Sequence, residues 1–462
     1  MKSDEREPTE SLCPVCLARV PAERRFAGEE VRLEGHCPDH GMWSTLIWSG
    51  PPSYRAWCAD KGTVSCSVPR EAVLSTPSAC PLACGLCPEH QQSTCTAVLE
   101  ITRRCNLVCP ICFAESRPDT PGSDPSLREL EATLRDLFIM QGSVNLQLSG
   151  GEPTLRADLP DIISLARAAG FAFVQLNTNG LRLAQELEYA EKLRDAGLVS
   201  VFLQFDGLMD ATHRAIRGRA FGAEKLRAVE RCAEAGLAVV LVSTVVAGVN
   251  DGELGALVDF ATEWAGVVRG VHFQPVSYFG RYPVGERPRL TLPEILRALE
   301  SQTGSRIKAD DFEPSSCEHV RCSFRARYWV REDGRLELVR SETGACAAEL
   351  SSAARRAVAA TARQWSLGPV GRNDYVGDYG SDKGDTAGAA CDDLDRFLEA
   401  AGRILAVSGM LFQDAWDLDL ERVRRCCVHA LVPGRGLIPF CLWNLTSESG
   451  KRLYLRTTTG GP

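Results

Sequence analysis

The sequence predicts an α/β protein built around a partial (β/α)6 barrel of the TIM type. Two observations predict the barrel: between Thr96 and Val276 short apolar runs alternate with amphipathic helical segments, and polar residues cluster where the runs end. Closely spaced cysteines on both sides of this region predict a metal-knuckle module before the barrel and a cysteine-rich extension after it. The predicted boundaries are 1–70 for a rubredoxin- or zinc-ribbon-like metal module, 71–95 for an auxiliary cluster segment, 96–290 for the barrel and 291–462 for the extension.

The composition is that of a soluble enzyme. The chain has 462 residues, of which 44% are hydrophobic and 24% charged, and its net charge of −8 argues against a protein devoted to nucleic acid. The start is polar, and the longest apolar run, Ala238–Val249, is too short to span a bilayer. We therefore expect a cytoplasmic protein that is not an integral membrane protein. Twenty cysteines in that compartment indicate metal sites rather than disulfides.

The first metal motif joins Cys13-Pro-Val-Cys16 to Cys37-Pro-Asp-His40 across a charged arm that contains Gly28. Two such knuckles facing each other across a hairpin make a tetrahedral site for one metal ion. The ligand count does not separate zinc from iron. Four ligands leave no open position, so we expect a structural role. A zinc-ribbon nucleic-acid binder would explain this segment only, and it conflicts with the acidic charge.

A second motif supplies four thiolates within sixteen residues, at Cys80, Cys84, Cys87 and Cys95. A complete set of four cysteines suits a four-iron cubane with no open iron, hence an electron carrier or a structural cluster. A zinc knuckle is the alternative.

The barrel strands are predicted from six apolar runs, which are Thr96–Thr102, Asn145–Gly150, Phe173–Gly180, Ser200–Gly207, Val239–Val246 and Val268–Val276. A helix is predicted over Ser126–Ile139, where Ser126 and Glu129 have the spacing of a capping box. Asp158 is predicted to cap the next helix, with a proline two residues later.

Three cysteines, Cys105, Cys109 and Cys112, follow the first predicted strand at C-x3-C-x2-C spacing. Three thiolates can hold three irons of a cubane and leave the fourth iron without a protein ligand. An open iron is a reaction site. The alternative, a structural zinc or electron-transfer site, would need a fourth cysteine or histidine nearby, and none follows Cys112 for a long way.

Polar residues mark the ends of the other strands. Strand two ends in Gly150-Gly151-Glu152-Pro153, where paired glycines let the backbone approach a ligand closely and exposed N–H groups can bind a carboxylate. Glu152 can pair with an ammonium group. The later strand ends add Asn177, Asp206, Thr244 and Gln274. Each of these has an alternative interpretation as a simple turn residue.

After the barrel, distant segments supply a third group of cysteines. Cys317, Cys322, one of the adjacent pair Cys426 and Cys427, and Cys441 can complete a third cubane, although spacing cannot pair ligands from distant segments. Cys232 is predicted to lie in the core. The unassigned cysteines are Cys58, Cys66, Cys346 and Cys391.

Five further features are predicted from local pattern. A hairpin is predicted through Asp333-Gly334, a helix over Leu350–Trp365 and a flexible loop over Gly368–Ala390. The segment containing His213, Arg214, Arg217 and Arg219 is either a basic loop facing an anionic group or, as we favour, a solvated helix face. Tyr278 is a packed or solvent-edge tyrosine or, less favoured, a hydrogen relay.

The segments CNLVCPIC and SGGEP together resemble the signature of the radical S-adenosylmethionine (SAM) enzymes. The resemblance implies that the methionine amino and carboxylate groups of SAM chelate the open iron. Reductive cleavage then yields a 5′-deoxyadenosyl radical that abstracts hydrogen from an unactivated carbon. It also implies adenine contacts from Ile111 and Phe113, and contacts from the strand-end residues to the rest of SAM. A non-catalytic iron–sulfur carrier or sensor is the alternative, against which the intact cysteine and GGEP motifs argue.

Within that superfamily the segments LCPVC, CPLACGLCPEH and CCVHALVPGRGLIPFCLWN resemble the branch of class D methyltransferases and tetraether lipid synthase. The resemblance implies a mononuclear iron at the knuckles, two auxiliary cubanes and a reductant such as flavodoxin or ferredoxin. It favours Cys426 over Cys427, because Cys426 keeps the C-x2-H spacing to His429. The implied chemistry is C–C bond formation or methylation. Leu350–Gly409 departs from the branch, so a lipid chain, a pterin-like compound and a specialised metabolite all stay open as substrates.

Overall fold

The computed structural model describes residues 5–59, 80–82, 84, 86–120, 122, 124–315, 317–340, 353–367 and 403–455. Within them the chain forms two sheets, one of four strands near the N-terminus and one of eleven strands. The predicted loop Gly368–Ala390 and the cysteines Cys66, Cys346 and Cys391 lie outside the described residues.

The N-terminal sheet is an antiparallel meander in chain order. Its strands are β1 (Glu5–Leu12), β2 (Arg19–Ala27), β3 (Glu30–Cys37) and β4 (Gly41–Ser49). The turn between β2 and β3 contains Gly28 at φ +65°, a conformation that glycine adopts without steric cost. A short helix, α1 (Tyr54–Ala59), follows, and its Trp57 donates from Nε1 to the carbonyl of Val320, 2.8 Å away. The N-terminal module is thereby tied to the C-terminal extension.

Six parallel strands in chain order form the centre of the larger sheet, as a partial (β/α)6 barrel requires. They are β5 (Thr96–Thr102), β6 (Asn145–Gly150), β7 (Val174–Thr178), β8 (Ser200–Gln204), β9 (Ala238–Val245) and β10 (Val268–Pro275). All six predicted strands are confirmed. They could be read from sequence because strands of a parallel sheet are buried on both faces and are therefore locally apolar.

The extension lengthens this sheet at both edges rather than forming a sheet of its own. Its strands are β11 (Ser323–Val330), β12 (Leu336–Leu338), β13 (Ile404–Met410), β14 (Val428–Val432) and β15 (Gly436–Pro439). Strand β13 pairs in parallel with β10, and β14 pairs in parallel with β5. Strands β11 and β12 form the predicted hairpin, which turns at Gly334.

Helices cover one face of the large sheet, which we call the outer face. They are α2 (Leu127–Gln141), α3 (Leu159–Ala168), α4 (Leu181–Gln185), α5 (Tyr189–Asp195), α6 (Asp210–Arg217), α7 (Gly222–Ala235), α8 (Leu254–Glu263) and α9 (Leu292–Gln302). Apart from α6, they share the main hydrophobic core with strand residues such as Leu99, Leu148 and Leu203. The predicted capping box of α2 is present, since the Glu129 carboxylate accepts from the backbone N–H of Ser126 at 2.8 Å. The predicted cap of α3 is wrong in detail, because the Asp158 carboxylate accepts from Arg156 instead of from the helix backbone.

The opposite, inner face of the sheet carries a different set of side chains, among them Gln147, Asn177, Phe202 and His272. Helix α10 (Ala353–Gln364) lies against this face, and over the residues that the structure describes it agrees with the predicted helix. Ala354 and Ala357 of α10 pack with Cys95 and Cys317, and Trp365 packs with Phe202. Two short helices, α11 (Leu420–Arg424) and α12 (Phe440–Asn444), complete the described extension. None of the described helices combines the length and apolarity needed to cross a bilayer.

Candidate active site and metal centres

The knuckle motif folds into one compact ligand set. The ligand atoms of Cys13, Cys16, Cys37 and His40 all lie within 4.8 Å of one another. The four residues lie in or directly beside the two turns that join β1 to β2 and β3 to β4. The antiparallel meander brings both turns to one end of the sheet. His40 Nδ1 lies 3.4 Å from the Cys37 sulfur and 3.6 Å from the Cys13 sulfur. Three sulfurs and one imidazole nitrogen fit a single tetrahedral metal ion.

The central cysteine loop begins where β5 ends, and its backbone is held from several directions. The backbone N–H of Cys112 donates to the carbonyl of Arg281 at 2.8 Å, and the Arg281 guanidinium donates from Nε to the carbonyl of Cys109 at 2.7 Å. The thiols of Cys105 and Cys109 are buried. Burial raises the pKa of Cys105 to about 12, so its thiolate needs a cation beside it, which is how an iron ligand is stabilised.

The Gly150-Gly151 turn packs backbone against backbone on this loop. A Cβ at Gly150 would lie 2.0 Å from the carbonyl oxygen of Thr102, and one at Gly151 would lie 2.1 Å from that of Arg104. The N–H of Gly151 donates to Thr102 and that of Glu152 to Arg104, both at 2.8 Å. Only glycine fits at either position, and the glycine turn and the cysteine loop therefore form one rigid unit.

The Glu152 carboxylate is buried and already binds neighbouring groups of the chain. Oε1 accepts from the hydroxyls of Thr154 and Thr178 at 2.6 and 2.7 Å, and Oε2 accepts from the N–H of Asn179 at 2.8 Å. Of the two oxygens, Oε2 keeps more capacity for a ligand. Pro153 opens the short 3-10 helix Pro153–Leu155 directly after it.

Two asparagines at the end of β7 face different neighbours. Asn177 donates from Nδ2 to Gln147 at 3.2 Å, while its buried Oδ1 has no partner among the described residues. Asn179 donates from Nδ2 to Asn106 at 2.8 Å and so connects β7 to the cysteine loop. Asn179 was not among the predicted site residues, and its signal was its place in the same NTNG turn.

Asp206, at the end of β8, lies at the centre of a buried ion pair with Arg217. Nε and Nη2 of Arg217 each donate to the carboxylate at 2.7 Å. Burial opposes ionisation of Asp206, but the guanidinium outweighs it and lowers the pKa of the carboxyl to about 2. Arg217 also donates to the hydroxyl of Thr244 at 2.9 Å and to the carbonyl of Ile111 at 3.0 Å. The ion pair therefore connects β8, β9 and the cysteine loop.

The solvated-face interpretation of the segment around Arg217 is wrong for two of its four residues. His213 is buried and the side chain of Arg217 is only 10% exposed, whereas the side chains of Arg214 and Arg219 are 62% and 53% exposed. The i, i+4 spacing of His213 and Arg217 places them on one helix face, and that face packs against the site. Lys225 was also missed: it is buried, donates to the carbonyl of Asn179 at 2.6 Å, and burial lowers its pKa to about 8.

The remaining predicted SAM contacts lie nearby. Gln274 is the strand neighbour of Thr244, on β10 and β9. The Phe113 ring is partly exposed beside Cys112, and its centroid lies 5.6 Å from that of Phe440. Tyr278 lies packed, with its hydroxyl donating to the carbonyl of Pro288 at 2.6 Å, as the favoured interpretation held.

Cys80, Cys84 and Cys87 come together through their thiols, and interaction with Cys80 and Cys84 lowers the pKa of Cys87. Their backbone is held by Glu89, which accepts from the N–H of Cys80 at 3.2 Å, and by Tyr454, whose hydroxyl accepts from the N–H of Cys84 at 3.3 Å.

The fourth cysteine predicted for that set, Cys95, belongs elsewhere. Its sulfur lies 3.0 Å from that of Cys427, and the ligand atoms of Cys95, Cys317 and Cys427 lie within 4.8 Å of one another. The cause is strand register: Thr96 pairs with Val428, so the two preceding residues are neighbours, and the N–H of Cys95 donates to the carbonyl of Cys427 at 2.9 Å.

The cysteines predicted to form a third cluster are accordingly divided between two groups. Cys317 joins Cys95 and Cys427, whereas Cys426 interacts electrostatically with Cys441 and Cys322. Two donors point at this second group: Arg422 Nε lies 3.3 Å from the Cys322 sulfur, and the N–H of Gln413 lies 3.2 Å from the Cys441 sulfur. The adjacent residues Cys426 and Cys427 therefore lie in two neighbouring groups of thiols rather than in one.

Two buried histidines stand among these groups. His90 Nε2 lies 2.8 Å from the carbonyl oxygen of Cys426 and 3.2 Å from Nε2 of His429. Cys232 is fully buried on α7, as predicted for a core residue, and Cys58 is partly buried on α1.

Comparison with known proteins gives matches along most of the chain. A family model described as the radical SAM superfamily matches residues 99–261, and one described as the HMPTM N-terminal zinc ribbon domain matches residues 6–49. The 7,8-dihydro-6-hydroxymethylpterin dimethyltransferase of Methanocaldococcus jannaschii is 32% identical over 94% of this chain and 93% of that protein. The probable GTP 3′,8-cyclase of Archaeoglobus fulgidus is 29% identical over 53% of this chain and 86% of that protein. Among solved structures, Streptococcus suis SuiB bound to S-adenosylmethionine is 17% identical over 46% of this chain and 47% of that chain, with a TM-score of 0.38.

Proposed function

The chain belongs to the radical SAM superfamily and is an enzyme that uses SAM and a four-iron cluster, and we propose that it methylates carbon centres of a reduced pterin. The observation that carries the proposal is its likeness, over nearly all of both chains, to the Methanocaldococcus dimethyltransferase. A likeness that extends beyond the barrel includes the knuckle module and the C-terminal cysteines, which a shared barrel alone would not explain.

The residues present fit the cofactors. Cys105 and Cys109 are buried and Cys112 is partly buried, and a set of three thiols suits a cubane with one iron left for SAM. When bound, this pair of cofactors supplies the reductive cleavage that generates a 5′-deoxyadenosyl radical. We propose SAM contacts at Ile111, Phe113, Gly150, Gly151, Glu152, Pro153, Asn177, Asp206, Thr244 and Gln274.

In this proposal, the chain's own residues hold the cysteine loop and the residues around it in fixed positions relative to one another. The glycine turn fixes the backbone N–H groups of Gly151 and Glu152 against the cysteine loop, and Arg217 fixes the loop from the opposite side through Ile111. Preorganised groups in a buried site do not have to reorganise during the reaction, which is the main contribution that a protein makes to cofactor chemistry.

The other cysteine groups extend the proposal to electron transfer. We propose that the auxiliary clusters are held by the groups of thiols described above. These groups are Cys80, Cys84 and Cys87; Cys95, Cys317 and Cys427; and the neighbouring Cys322, Cys426 and Cys441. We propose that an external donor such as flavodoxin or ferredoxin supplies the electrons. The knuckle site, with four ligands and no open position, has a structural role in this proposal.

The test is anaerobic turnover of the reconstituted protein. We would supply dithionite, 7,8-dihydro-6-hydroxymethylpterin and excess SAM, with and without a methylene-bearing reduced folate, so that the methyl group can come from a second SAM or from the folate. We would measure 5′-deoxyadenosine together with the mass of the pterin. The expected result is 5′-deoxyadenosine and a pterin heavier by one or two methyl groups. Cys105→Ala should give neither product, whereas Cys58→Ala, which removes a thiol outside every group described above, should retain both.

The outcomes separate the alternatives. Formation of 5′-deoxyadenosine with an unchanged pterin would overturn the pterin as substrate and return the lipid chain and the specialised metabolite to consideration. Failure to cleave SAM under any condition would favour a cluster protein that only carries electrons.

A further inference from the structure

Two neighbouring groups of thiols differ in the charges that surround them. One, which we call the Cys322 group, consists of Cys322, Cys426 and Cys441, and the other, the Cys95 group, consists of Cys95, Cys317 and Cys427. Because Cys426 and Cys427 are consecutive in the chain, the two groups lie side by side. A difference in charge between their surroundings therefore bears on how electrons divide between clusters held there.

A buried arginine lies against the Cys322 group. Arg422 is 6% exposed, and its Nε donates to the Cys322 sulfur at 3.3 Å while its Nη2 donates to the carbonyl of Leu411 at 2.7 Å. No carboxylate of the described residues forms an ion pair with Arg422, and Asp417, which attracts it electrostatically, is paired with Arg289 at 3.4 Å. A buried cation needs an anion beside it, and the Cys322 thiolate supplies that anion.

A backbone donor adds to the effect of the arginine. The N–H of Gln413 donates to the Cys441 sulfur at 3.2 Å. Gln413 is itself held in place, because its Oε1 accepts from the N–H of Asp419 at 2.7 Å. Reduction of an iron–sulfur cluster adds one electron and no atom, hence one negative charge, and N–H groups directed at the sulfurs stabilise that charge. Two of the three sulfurs in the Cys322 group have such a donor.

The Cys95 group has a carboxylate where the Cys322 group has a guanidinium. Oε2 of Glu318 lies 3.6 Å from the Cys427 sulfur, and its Oε1 accepts from the hydroxyl of Ser323. The electrostatic influence of Glu318 also reaches Cys317. The Thr96 hydroxyl, 3.7 Å from the Cys95 sulfur, is uncharged and does not offset this carboxylate. A negative charge beside thiolate ligands opposes the addition of a further negative charge, so it makes a cluster there harder to reduce.

We propose that Arg422 and Glu318 separate two adjacent clusters in reduction potential, so that an electron delivered to the pair resides at the Cys322 group rather than at the Cys95 group. This inference rests on the proposed function, in which both groups hold iron–sulfur clusters, and adds to it the order in which they are reduced. Arg422 acts through the Cys322 sulfur and is a positioning residue rather than a catalytic one. Electrons from a donor of the flavodoxin or ferredoxin class would collect at the Cys322 group.

The test measures reduction potentials rather than turnover. Reconstituted full-length protein without SAM would be titrated anaerobically with dithionite, and the electron paramagnetic resonance of the reduced clusters would be fitted as a sum of one-electron steps. The step that is lost in Cys322→Ser is the Cys322 step, and the step that is lost in Cys95→Ser is the Cys95 step. In the wild type the Cys322 step should have the higher potential. Iron would be quantified in every sample.

Arg422→Met should lower the potential of the Cys322 step by at least about 59 mV, which is a tenfold change in a one-electron equilibrium, and should move the Cys95 step less. Arg422→Lys keeps the positive charge and should shift the Cys322 step less than Arg422→Met does. Glu318→Gln should raise the potential of the Cys95 step by a smaller amount, since Glu318 is partly exposed. Arg425→Met is the matched control: the Arg425 side chain is 37% exposed, so water screens its charge and both steps should move much less.

Several outcomes would overturn the inference or uphold it separately from the proposed function. Unchanged potentials in Arg422→Met, equal shifts of both steps in that variant, or a higher potential for the Cys95 step in the wild type would each overturn it. A Cys322→Ser variant that loses neither a step nor iron would also overturn it, even if the wild type methylates pterin. The expected shifts in an enzyme that leaves pterin unmethylated would uphold the inference and overturn the pterin as substrate. Should Arg422→Met fail to load iron, an unchanged Cys95 step in Glu318→Gln would overturn the inference.

Discussion

Arg217 does more to hold the candidate site together than any residue predicted for it. One guanidinium group donates to the Asp206 carboxylate, to the Thr244 hydroxyl and to the carbonyl of Ile111. All of these groups are buried or nearly so, and a buried carboxylate is stable as an ion only while its partner stays in place. The position of the cysteine loop therefore depends on a residue that lies about one hundred positions further along the chain.

We predict that Arg217→Met destabilises the protein by about 3–5 kcal/mol, because it leaves the Asp206 carboxylate buried and unpaired. The double variant Asp206→Asn with Arg217→Met should recover part of that loss, since it removes the charge as well as its partner. Denaturant unfolding followed by circular dichroism measures both. Arg214→Gln, on the same helix but exposed, is the control and should change stability little. Equal losses in the Arg217 and Arg214 variants would contradict the role given to the pair.

The same ion pair gives stability a defined dependence on pH. The pKa of Asp206 is about 2 in the folded protein and 3.8 ordinarily, so folding favours its ionised form. That contribution, on the order of 2 kcal/mol, is fully present above pH 4 and is lost as the pH falls toward 2. We would measure the free energy of unfolding as a function of pH for the wild type and for Asp206→Asn. The curve of the variant should lack this acid-dependent loss, whereas a curve of unchanged shape would show that other carboxyl groups dominate.

At the scale of the elements, the barrel strands could be predicted from the sequence, but their pairing with the strands of the extension could not. The composition of an apolar run such as Thr96–Thr102 predicts a buried parallel strand, and the Ser126–Glu129 spacing predicts the start of a helix. The pairing of β5 with β14 joins segments more than three hundred residues apart, and no local pattern encodes that register. Cys95 was therefore grouped with its sequence neighbours, although the register places it against Cys427.

The same reasoning explains which site residues the sequence could supply. The cysteine loop and the glycine turn are short local motifs, so they could be read directly. Arg217 and Lys225 lie on helices whose inward faces are defined only by packing, and hydrophobic periodicity does not distinguish a buried arginine from a solvated one. Trp365 was predicted only as the end of a helix, because its ring contacts with Phe202 and His272 join segments that are distant in sequence.

The register of β5 against β14 predicts how much iron the cysteine variants should lose. If Cys95 and Cys427 serve one cluster, Cys95→Ser and Cys427→Ser should each lose the iron of one cluster, about four atoms, and the double variant should lose no more. Combining Cys95→Ser with Cys80→Ser should lose the iron of two clusters. Iron and protein would be quantified on samples reconstituted in parallel, with Cys232→Ala as the control. Additive losses in the Cys95 and Cys427 pair would restore the grouping by sequence distance.

At the scale of the whole molecule, a buried charge network locks the N-terminal sheet onto the extension. Asp419, at the start of α11, accepts from Arg24 of β2 at 2.9 Å and from Arg321 at 2.6 Å. It also accepts from the hydroxyl of Thr9 on β1 at 2.8 Å. Burial opposes the charge of Asp419, but Arg321 and Arg24 outweigh it and lower the pKa of its carboxyl. Three segments distant in sequence thus meet on one carboxylate, and the neighbouring residue Arg422 donates to the Cys322 sulfur.

This arrangement predicts that the knuckle module and the C-terminal cysteine group lose order together. Asp419→Asn removes the charge that two buried arginines share, so we expect a loss of about 3–5 kcal/mol and faster amide hydrogen exchange in β1, β2 and α11. The contribution of Asp419 is present above its ordinary pKa and disappears as the pH falls below it, so the variant and the wild type should converge in acid. Asp333→Asn, which breaks an exposed pair with Arg335, is the matched control and should change stability little. Because the cysteine loop is held by Arg217 and Arg281 rather than by this network, exchange there should stay at the wild-type rate, and a loss spread evenly over the chain would show that the network does not act locally.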